Sequence, residues 1–127
     1  FRELILKMSS NKLIKNSEAI ISIEARGFIF GSAISLQASK PMIVARKPGK
    51  LPGDLMQENY NLEYGKSSLS IQKEAFKKFS SFAIVDDLLA TGGTINCVDK
   101  RSRAMQRNSE GSEPTTCYTS SLVIKLP

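Results

Sequence analysis

The 127-residue chain contains no histidine, and that absence narrows its chemistry. Without an imidazole, Ser-His-Asp and Cys-His catalysis are excluded, as is any histidine-ligated metal site. Cysteine is scarce as well: Cys97 and Cys117 are the two in the chain, and neither belongs to a CxxC pair. A zinc site would need more ligands than these. We therefore interpret both as reduced thiols of a cytoplasmic protein.

Long apolar runs are also absent. No stretch reaches the roughly 18 residues that a membrane-spanning helix needs, and no basic segment followed by an apolar one indicates a signal peptide. The chain is otherwise an ordinary globular mixture, with 41% hydrophobic and 24% charged residues. Its length favours one domain over 1–127. Because the chain begins at Phe1 rather than Met, we expect this domain to be truncated, and we extend that expectation to both ends.

The charge balance favours an anionic partner. Eighteen basic residues against 12 acidic ones give a net charge of +6. Such a charge suits nucleic acid, a phosphate-rich metabolite or a membrane surface, and charge alone does not choose among them.

Three short runs are continuously apolar, namely AIISIE (19–24), PMIVAR (41–46) and SFAIVDD (81–87). Runs of this kind are typical of strands buried on both faces, as in a parallel sheet. A last strand is predicted around 121–124. Helical patterns between and around these strands predict an α/β fold, in which flanking helices cover a parallel sheet.

The connections between strands differ in kind. The first, over 27–39, predicts a helix whose apolar side includes Phe28, Ala33, Ile34 and Leu36. The second, over 47–66, holds two prolines and three glycines, and we interpret it as a long mobile loop that acts as a lid. Four further elements are predicted: a helix over 3–15, a strand over 68–72, a short helix or turn over 73–80, and a helix over 93–107.

The strongest chemical signal is IVDDLLATGGT at 84–94. An apolar strand ends in two carboxylates, Asp86 and Asp87, which suit the vicinal hydroxyls of a sugar or a nearby Mg²⁺ ion. Small residues and the start of a helix follow, and their backbone N–H groups suit a phosphate. The order of these groups predicts a ligand with a ribose and a 5′-phosphate. The alternative is that the two aspartates are a solvated strand end.

The segment 84–94 resembles the 5-phosphoribosyl-1-pyrophosphate (PRPP) binding motif of type I phosphoribosyltransferases. Three further stretches, EARGFIFG (24–31), ARKPGKLPG (45–53) and YNLEYGKSSLSIQKEA (60–75), resemble the adenine phosphoribosyltransferase family. The resemblance runs from about Ile20 to Val98. It implies a type I phosphoribosyltransferase-like sheet with a mobile lid, and a reaction that joins adenine to PRPP, giving AMP and pyrophosphate.

The resemblance also implies roles for individual residues. Glu63 would be the general acid/base for adenine, and Tyr64 would help to shape the closed lid. Asp86 and Asp87 would hold the ribose, near a Mg²⁺ ion that PRPP itself mainly carries. Three groups of ligand-binding residues complete the implied site: for the 5′-phosphate, Ala90, Thr91, Gly92, Gly93 and Thr94; for pyrophosphate, Arg26, Arg46, Lys47 and Lys50; for adenine, Phe1, Arg2 and Leu89.

Several alternatives stay open. Another purine, xanthine or hypoxanthine, would fit the same class of enzyme, and a non-catalytic PRPP-binding regulator would fit the same fold. The family further implies a homodimer. We expect no nucleic-acid partner, because no interleaved aromatic motif is visible, and no membrane partner. After Cys97 the sequence departs from the family, and we predict poor packing over 98–112.

Overall fold

The computed structural model describes residues 1–62, 65–86 and 120–123. Its helices and strands, in chain order, are α1 (Arg2–Ser9), α2 (Lys12–Asn16), β1 (Ala19–Ile23), α3 (Gly27–Ala38), β2 (Met42–Ala45), β3 (Leu55–Leu62), β4 (Gly65–Gln72), α4 (Lys73–Lys78), β5 (Phe82–Asp86) and β6 (Ser120–Val123).

The first sheet has four parallel strands in the order β2–β1–β5–β6. The apolar runs of the sequence became β1, β2 and β5, and the predicted last strand became β6. The parallel sheet with flanking helices is therefore confirmed. Strands that follow helical crossovers are parallel because each connection returns the chain to the same edge of the sheet.

The strands β1 and β5 are buried on both faces of the sheet, which explains why they do not alternate in polarity. On one face Ile21 and Phe82 pack into a cluster with Met56, Leu69 and Phe76, from the β3–β4 hairpin and α4. On the other face lies a cluster drawn from β1, β5 and the helices α1 to α3: Ile5, Met8, Ile14, Ile20, Phe30, Ile34, Ala83 and Val85. The strands β1 and β5 thus send their apolar side chains into two cores, whereas the buried residues of β2, Ile43 and Ala45, belong to the first cluster.

Helix α3 packs very closely on β1. A Cβ atom added to Gly31 would lie 1.6 Å from Ser22 Oγ and 2.7 Å from Ser22 Cβ, so glycine is what permits this approach. The buried side of α3 is Gly27, Phe30, Gly31 and Ile34. The predicted apolar side is wrong at Leu36, which is exposed, because that position lies on the opposite side of the helix from the two glycines.

Two other predictions are corrected. The single helix expected over 3–15 is two helices, because Asn11 caps α2 with its side chain, accepting from Leu13 N at 2.9 Å. The long loop expected over 47–66 is wrong from Leu55 onward, where the chain forms β3 and enters β4 as an antiparallel pair. The short element expected over 73–80 is the helix α4, which buries Phe76.

Two expectations lie outside the described residues: the helix over 93–107 and the packing of 98–112. In the part of the chain that is described, no helix is long and apolar enough to cross a membrane.

Candidate functional site

The carboxyl ends of three parallel strands meet at one edge of the sheet. Ile23 of β1 pairs with Ala45 of β2, and Ser22 of β1 pairs with Val85 of β5. Glu24 and Arg46, which directly follow β1 and β2, are therefore level with each other, and Asp86, the last residue of β5, is level with Ile23, one residue before Glu24. In open α/β sheets this is the edge at which ligands bind.

Glu24 accepts hydrogen bonds from three residues of the segment that follows β2. Its Oε1 accepts from Lys50 Nζ at 2.7 Å and from Arg46 Nη2 at 3.2 Å, and its Oε2 accepts from the backbone N–H of Lys47 at 2.8 Å. We call Glu24, Arg46, Lys47 and Lys50 the Glu24 cluster. The hydrogen bond from Lys50 is the largest of the effects that lower the pKa of Glu24 to about 2, followed by the Lys47 N–H. Glu24 is therefore a carboxylate at neutral pH.

Arg46 is fixed by its backbone as well as by its side chain. Its N–H donates to Ser70 O at 3.0 Å, and its carbonyl accepts from Ser70 N at 2.7 Å. Its Nη1 also donates to the carbonyl of Lys50 at 3.4 Å. The strand end that carries this cation is thus joined to the β3–β4 hairpin.

The segment between β2 and β3 turns sharply at two glycines. Gly49 and Gly53 have φ values of +84° and +86°, a region that other residues rarely adopt. Gln72 Nε2 donates to Pro52 O at 3.1 Å, and Lys73 N donates to Asp54 O at 3.0 Å. These bonds hold the segment that carries Lys47 and Lys50 against the end of β4.

Arg26 and Asp86 are brought together by Gly27. A Cβ atom on Gly27 would lie 2.9 Å from Val85 O and 3.5 Å from Asp86 Oδ1. The start of α3 can therefore approach the end of β5 because residue 27 has no side chain. Asp86 is buried and Arg26, one residue before α3, is exposed. The predicted cations and the first of the two aspartates thus share one edge.

Phe1 lies against α3 near this edge. Its ring centroid is 5.7 Å from that of Phe30, and most of its surface is exposed. Phe30 is three residues into α3 from Gly27, a rise of about 4.5 Å. Arg2, also exposed, begins α1. An open aromatic face so near the strand ends is suited to stacking on a planar base.

The remaining predicted site residues lie outside the described part of the chain, and their roles stay predictions: Glu63, Tyr64, Asp87, Leu89, Ala90, Thr91, Gly92, Gly93 and Thr94.

Sequence reasoning missed Glu24 as a residue of the site. One signal was available, because Glu24 directly follows a buried strand whose parallel neighbour is followed by Arg46 and Lys47. A carboxylate level with cations across a parallel pair favours an ion pair. The bond to Lys50 depends on the path of the intervening turn, and the sequence does not indicate it.

Comparison with known proteins identifies the class. The phosphoribosyl transferase domain family matches residues 1–100, so the chain belongs to that family. The match ends three residues after Cys97, the point after which the sequence predicts a departure from the family.

Relatives within that family include adenine phosphoribosyltransferases. The enzyme of Prochlorococcus marinus strain MIT 9515 is 74% identical over 100 residues, which cover 79% of this chain and 58% of that protein. The solved Saccharomyces cerevisiae enzyme, complexed with adenine, is 31% identical with a TM-score of 0.70, over 82% of this chain and 61% of that one. The Thermoanaerobacter pseudethanolicus structure is 29% identical with a TM-score of 0.72, over 95% and 77%. The chain thus spans less than two-thirds of the length of its curated relatives.

Proposed function

We propose that this chain carries the site of an adenine phosphoribosyltransferase, which transfers the phosphoribosyl group of PRPP to adenine and gives AMP and pyrophosphate. The observation that carries the proposal is the meeting of Arg26, Arg46 and Asp86 at one sheet edge, where the registers of β1, β2 and β5 align. Cations and a carboxylate at one edge match a ligand that has a charged diphosphate and a hydroxylated sugar.

The pyrophosphate would be bound by Arg26, Arg46, Lys47 and Lys50. A guanidinium presents a planar fork of donors that matches phosphate oxygens. Charge on the leaving diphosphate grows as its bond to the sugar breaks, so fixed cations stabilise the transition state more than the ground state. Arg46 is suited to this because its backbone and its side chain are both held before any ligand binds.

The ribose would be bound by Asp86 together with Asp87. A buried carboxylate at a strand end accepts hydrogen bonds from vicinal hydroxyls and is poorly suited to a phosphate, which repels it. The 5′-phosphate would lie on the small residues that follow, 90–94, whose backbone N–H groups would donate hydrogen bonds to its oxygens. This division keeps each end of PRPP next to groups of complementary charge.

The transition state expected here is oxocarbenium-like, so the site needs no strong nucleophile. Its tasks are to bind the leaving group, position adenine and exclude water. Glu63 would handle the N9 proton of adenine as general acid/base. Phe1 would stack on the purine, with Arg2 beside it and Leu89 on the opposite side, and Tyr64 would complete the closed site.

Mg²⁺ fits this site as a companion of PRPP. Mg²⁺ prefers six oxygen ligands in near-octahedral geometry. Asp86 supplies carboxylate oxygens at the strand end, and Asp87 follows it in sequence. An ion here would therefore take most of its ligands from the diphosphate and water, and when bound it would neutralise part of the diphosphate charge. We further propose a cytoplasmic homodimer, which rests on the family resemblance.

The decisive experiment offers the chain Mg²⁺, PRPP and one purine at a time. We expect AMP and pyrophosphate with adenine, and no nucleotide with hypoxanthine or xanthine. If the chain converted hypoxanthine or xanthine but not adenine, the result would favour a phosphoribosyltransferase for that other purine. PRPP binding with no turnover of any purine would favour a non-catalytic regulator.

A second experiment tests Glu63. Glu63→Gln should lower turnover and leave PRPP affinity nearly unchanged, because the proton transfer concerns the base and not the sugar phosphate. Glu74→Gln, at an exposed position of α4, is the matched control and should change neither quantity. Wild-type turnover in Glu63→Gln would remove this residue from the mechanism.

A further inference from the structure

We propose that Glu24 is a positioning residue, which holds Arg46 and Lys50 ready for the pyrophosphate end of PRPP. This inference rests on the function proposed above and deepens it. Nothing in the proposed chemistry requires an acid among the cations that bind an anion. The position of a carboxylate at the centre of the Glu24 cluster therefore indicates a role other than direct contact with the ligand.

The cluster is layered, with its acid beneath its cations. The side chain of Glu24 is 9% exposed, whereas those of Arg46 and Lys50 are 34% and 46% exposed. An anion that approaches from solvent therefore meets the cations before the carboxylate. Three cationic side chains against one carboxylate also leave the cluster net positive.

Glu24 reaches both the side chains and the backbone of the segment that leaves β2. Its two oxygens accept from Arg46 Nη2 and Lys50 Nζ on one side and from the Lys47 N–H on the other. A free arginine or lysine side chain loses up to about 2 kcal/mol of rotamer entropy when it is ordered. Glu24 meets part of that cost in the folded chain before the ligand arrives.

The position of Glu24 links two strand ends. It directly follows β1, and its own backbone N–H donates to Ala45 O at 2.9 Å. The carboxylate is therefore carried on the sheet itself, whereas Lys50 lies in the turn beyond Gly49. A rigid anchor on one strand thus sets the position of a cation on a turn, which is how a site keeps its binding geometry.

The test compares the isosteric variant Glu24→Gln with wild type for three ligands: magnesium pyrophosphate, PRPP and ribose 5-phosphate. We expect about tenfold weaker binding of pyrophosphate and PRPP, the scale of one lost charge-assisted hydrogen bond. Ribose 5-phosphate has no diphosphate, and its affinity should change less than twofold. Calorimetric titration measures all three.

Two further variants complete the design. Glu24→Asp keeps the charge and should recover pyrophosphate affinity to within about threefold of wild type. Glu18→Gln removes a carboxylate of the same type from the opposite edge of the sheet, and it should leave all three affinities unchanged. Glu24→Asp also serves if Glu24→Gln fails to fold.

The outcomes separate this inference from the function on which it rests. Unchanged or tighter pyrophosphate binding in Glu24→Gln would overturn the inference, since the carboxylate would then either have no effect on binding or compete with the ligand for the cations. Equal weakening of all three ligands would also overturn it, since the role would be purely structural. Failure of the folded wild-type chain to bind either PRPP or pyrophosphate would instead overturn the proposed function, and the inference with it.

Discussion

Each of the two edges of the parallel sheet has a glutamate that accepts a backbone hydrogen bond, but the two glutamates have different surroundings. At the amino edge, before β1, Glu18 accepts from Ser80 N at 2.6 Å and Ser80 Oγ at 3.1 Å. At the carboxyl edge, after β1, Glu24 accepts from Lys47 N and from the Arg46 and Lys50 side chains. In both places a carboxylate takes a backbone N–H across the sheet, and in both its pKa is lowered.

The difference lies in the other partners. At the amino edge the cation Lys40 is bound to the carbonyls of Lys15 and Ser17, so its donors serve the chain's own backbone. At the carboxyl edge the cations pair with an acid that is less exposed than they are, and they keep part of their surface exposed. At the amino edge the cation is used by hydrogen bonds within the chain, whereas at the carboxyl edge positive charge stays accessible to a ligand.

The largest effect is expected from a cation of the carboxyl edge. Arg46→Ala should cost about 1.5 to 3 kcal/mol of PRPP binding, or roughly ten- to a hundredfold in affinity, the range for hydrogen bonds to charged groups. Lys40→Ala is the control from the amino edge and should lower the unfolding midpoint without weakening PRPP. PRPP titration measures the affinity of both variants. If Lys40→Ala weakened PRPP binding as much as Arg46→Ala, the two edges would not differ in function.

Substitutions of the two close-packed glycines of α3 should affect stability and PRPP binding differently. Gly31→Ala places a Cβ against Ser22, and overpacking of this kind costs about 1 to 3 kcal/mol of unfolding free energy. Gly27→Ala meets the backbone oxygen of Val85 and should in addition weaken PRPP, because it displaces the start of α3 from Asp86. Urea unfolding and PRPP titration measure the two quantities.

A control exists within the same pair. Ser22→Ala combined with Gly31→Ala should recover part of the lost stability, because it removes the Oγ contact and leaves the Cβ contact. A Gly31→Ala chain as stable as wild type would contradict the close packing. Equal loss of PRPP affinity in both glycine variants would contradict the difference between the interior and the edge.

Acid should unfold the chain partly through Glu24. Its pKa falls from 4.5 to about 2 on folding, chiefly through the hydrogen bond from Lys50, so the unfolded chain takes up this proton first. The stability it contributes is fully present above pH 4.5 and is lost as pH falls through about 2. Urea unfolding over this range should therefore show a shallower pH dependence in Glu24→Gln than in wild type.

Glu18 sharpens that measurement. Its pKa is lowered too, chiefly by the Ser80 N–H, but the residue is exposed and solvent screens it. Glu18→Gln should therefore change the pH dependence in the same direction and by less. Identical slopes for wild type and Glu24→Gln would remove Glu24 from the acid response.

The smallest effect is expected from an ion pair that belongs to neither edge cluster. Lys73 Nζ lies 3.2 Å from Asp54 Oδ1, with side chains that are 39% and 78% exposed. Asp54→Asn should change the unfolding free energy by less than about 0.5 kcal/mol, as exposed pairs do. A larger loss in thermal or urea unfolding would mean that pairing alone, without burial, explains the behaviour of the Glu24 cluster.

Sequence patterns predicted the strands well because burial on both faces is a local property of composition. The run 81–87 became Phe82–Asp86, and 19–24 became Ala19–Ile23. The strand predicted over 68–72 lies within β4 (Gly65–Gln72), but β3 was missed because the prolines and glycines before it favour a loop. The strands of the hairpin are set by pairing with each other and by the contact of Met56, Leu69 and Ile71 with the sheet, and the second of these is not local in sequence.

The sequence by itself determined that strands of this kind lie in a parallel sheet, and that Arg26, Arg46 and Asp86 meet where those strands end. It did so because the polarity of strands and the direction of crossovers follow from local pattern and chain connectivity. Only the tertiary structure decided that Glu24 lies beneath the cations and that Gly27 allows α3 to approach Asp86. Those contacts join residues far apart in sequence, and their distances depend on strand register and on the path of one turn.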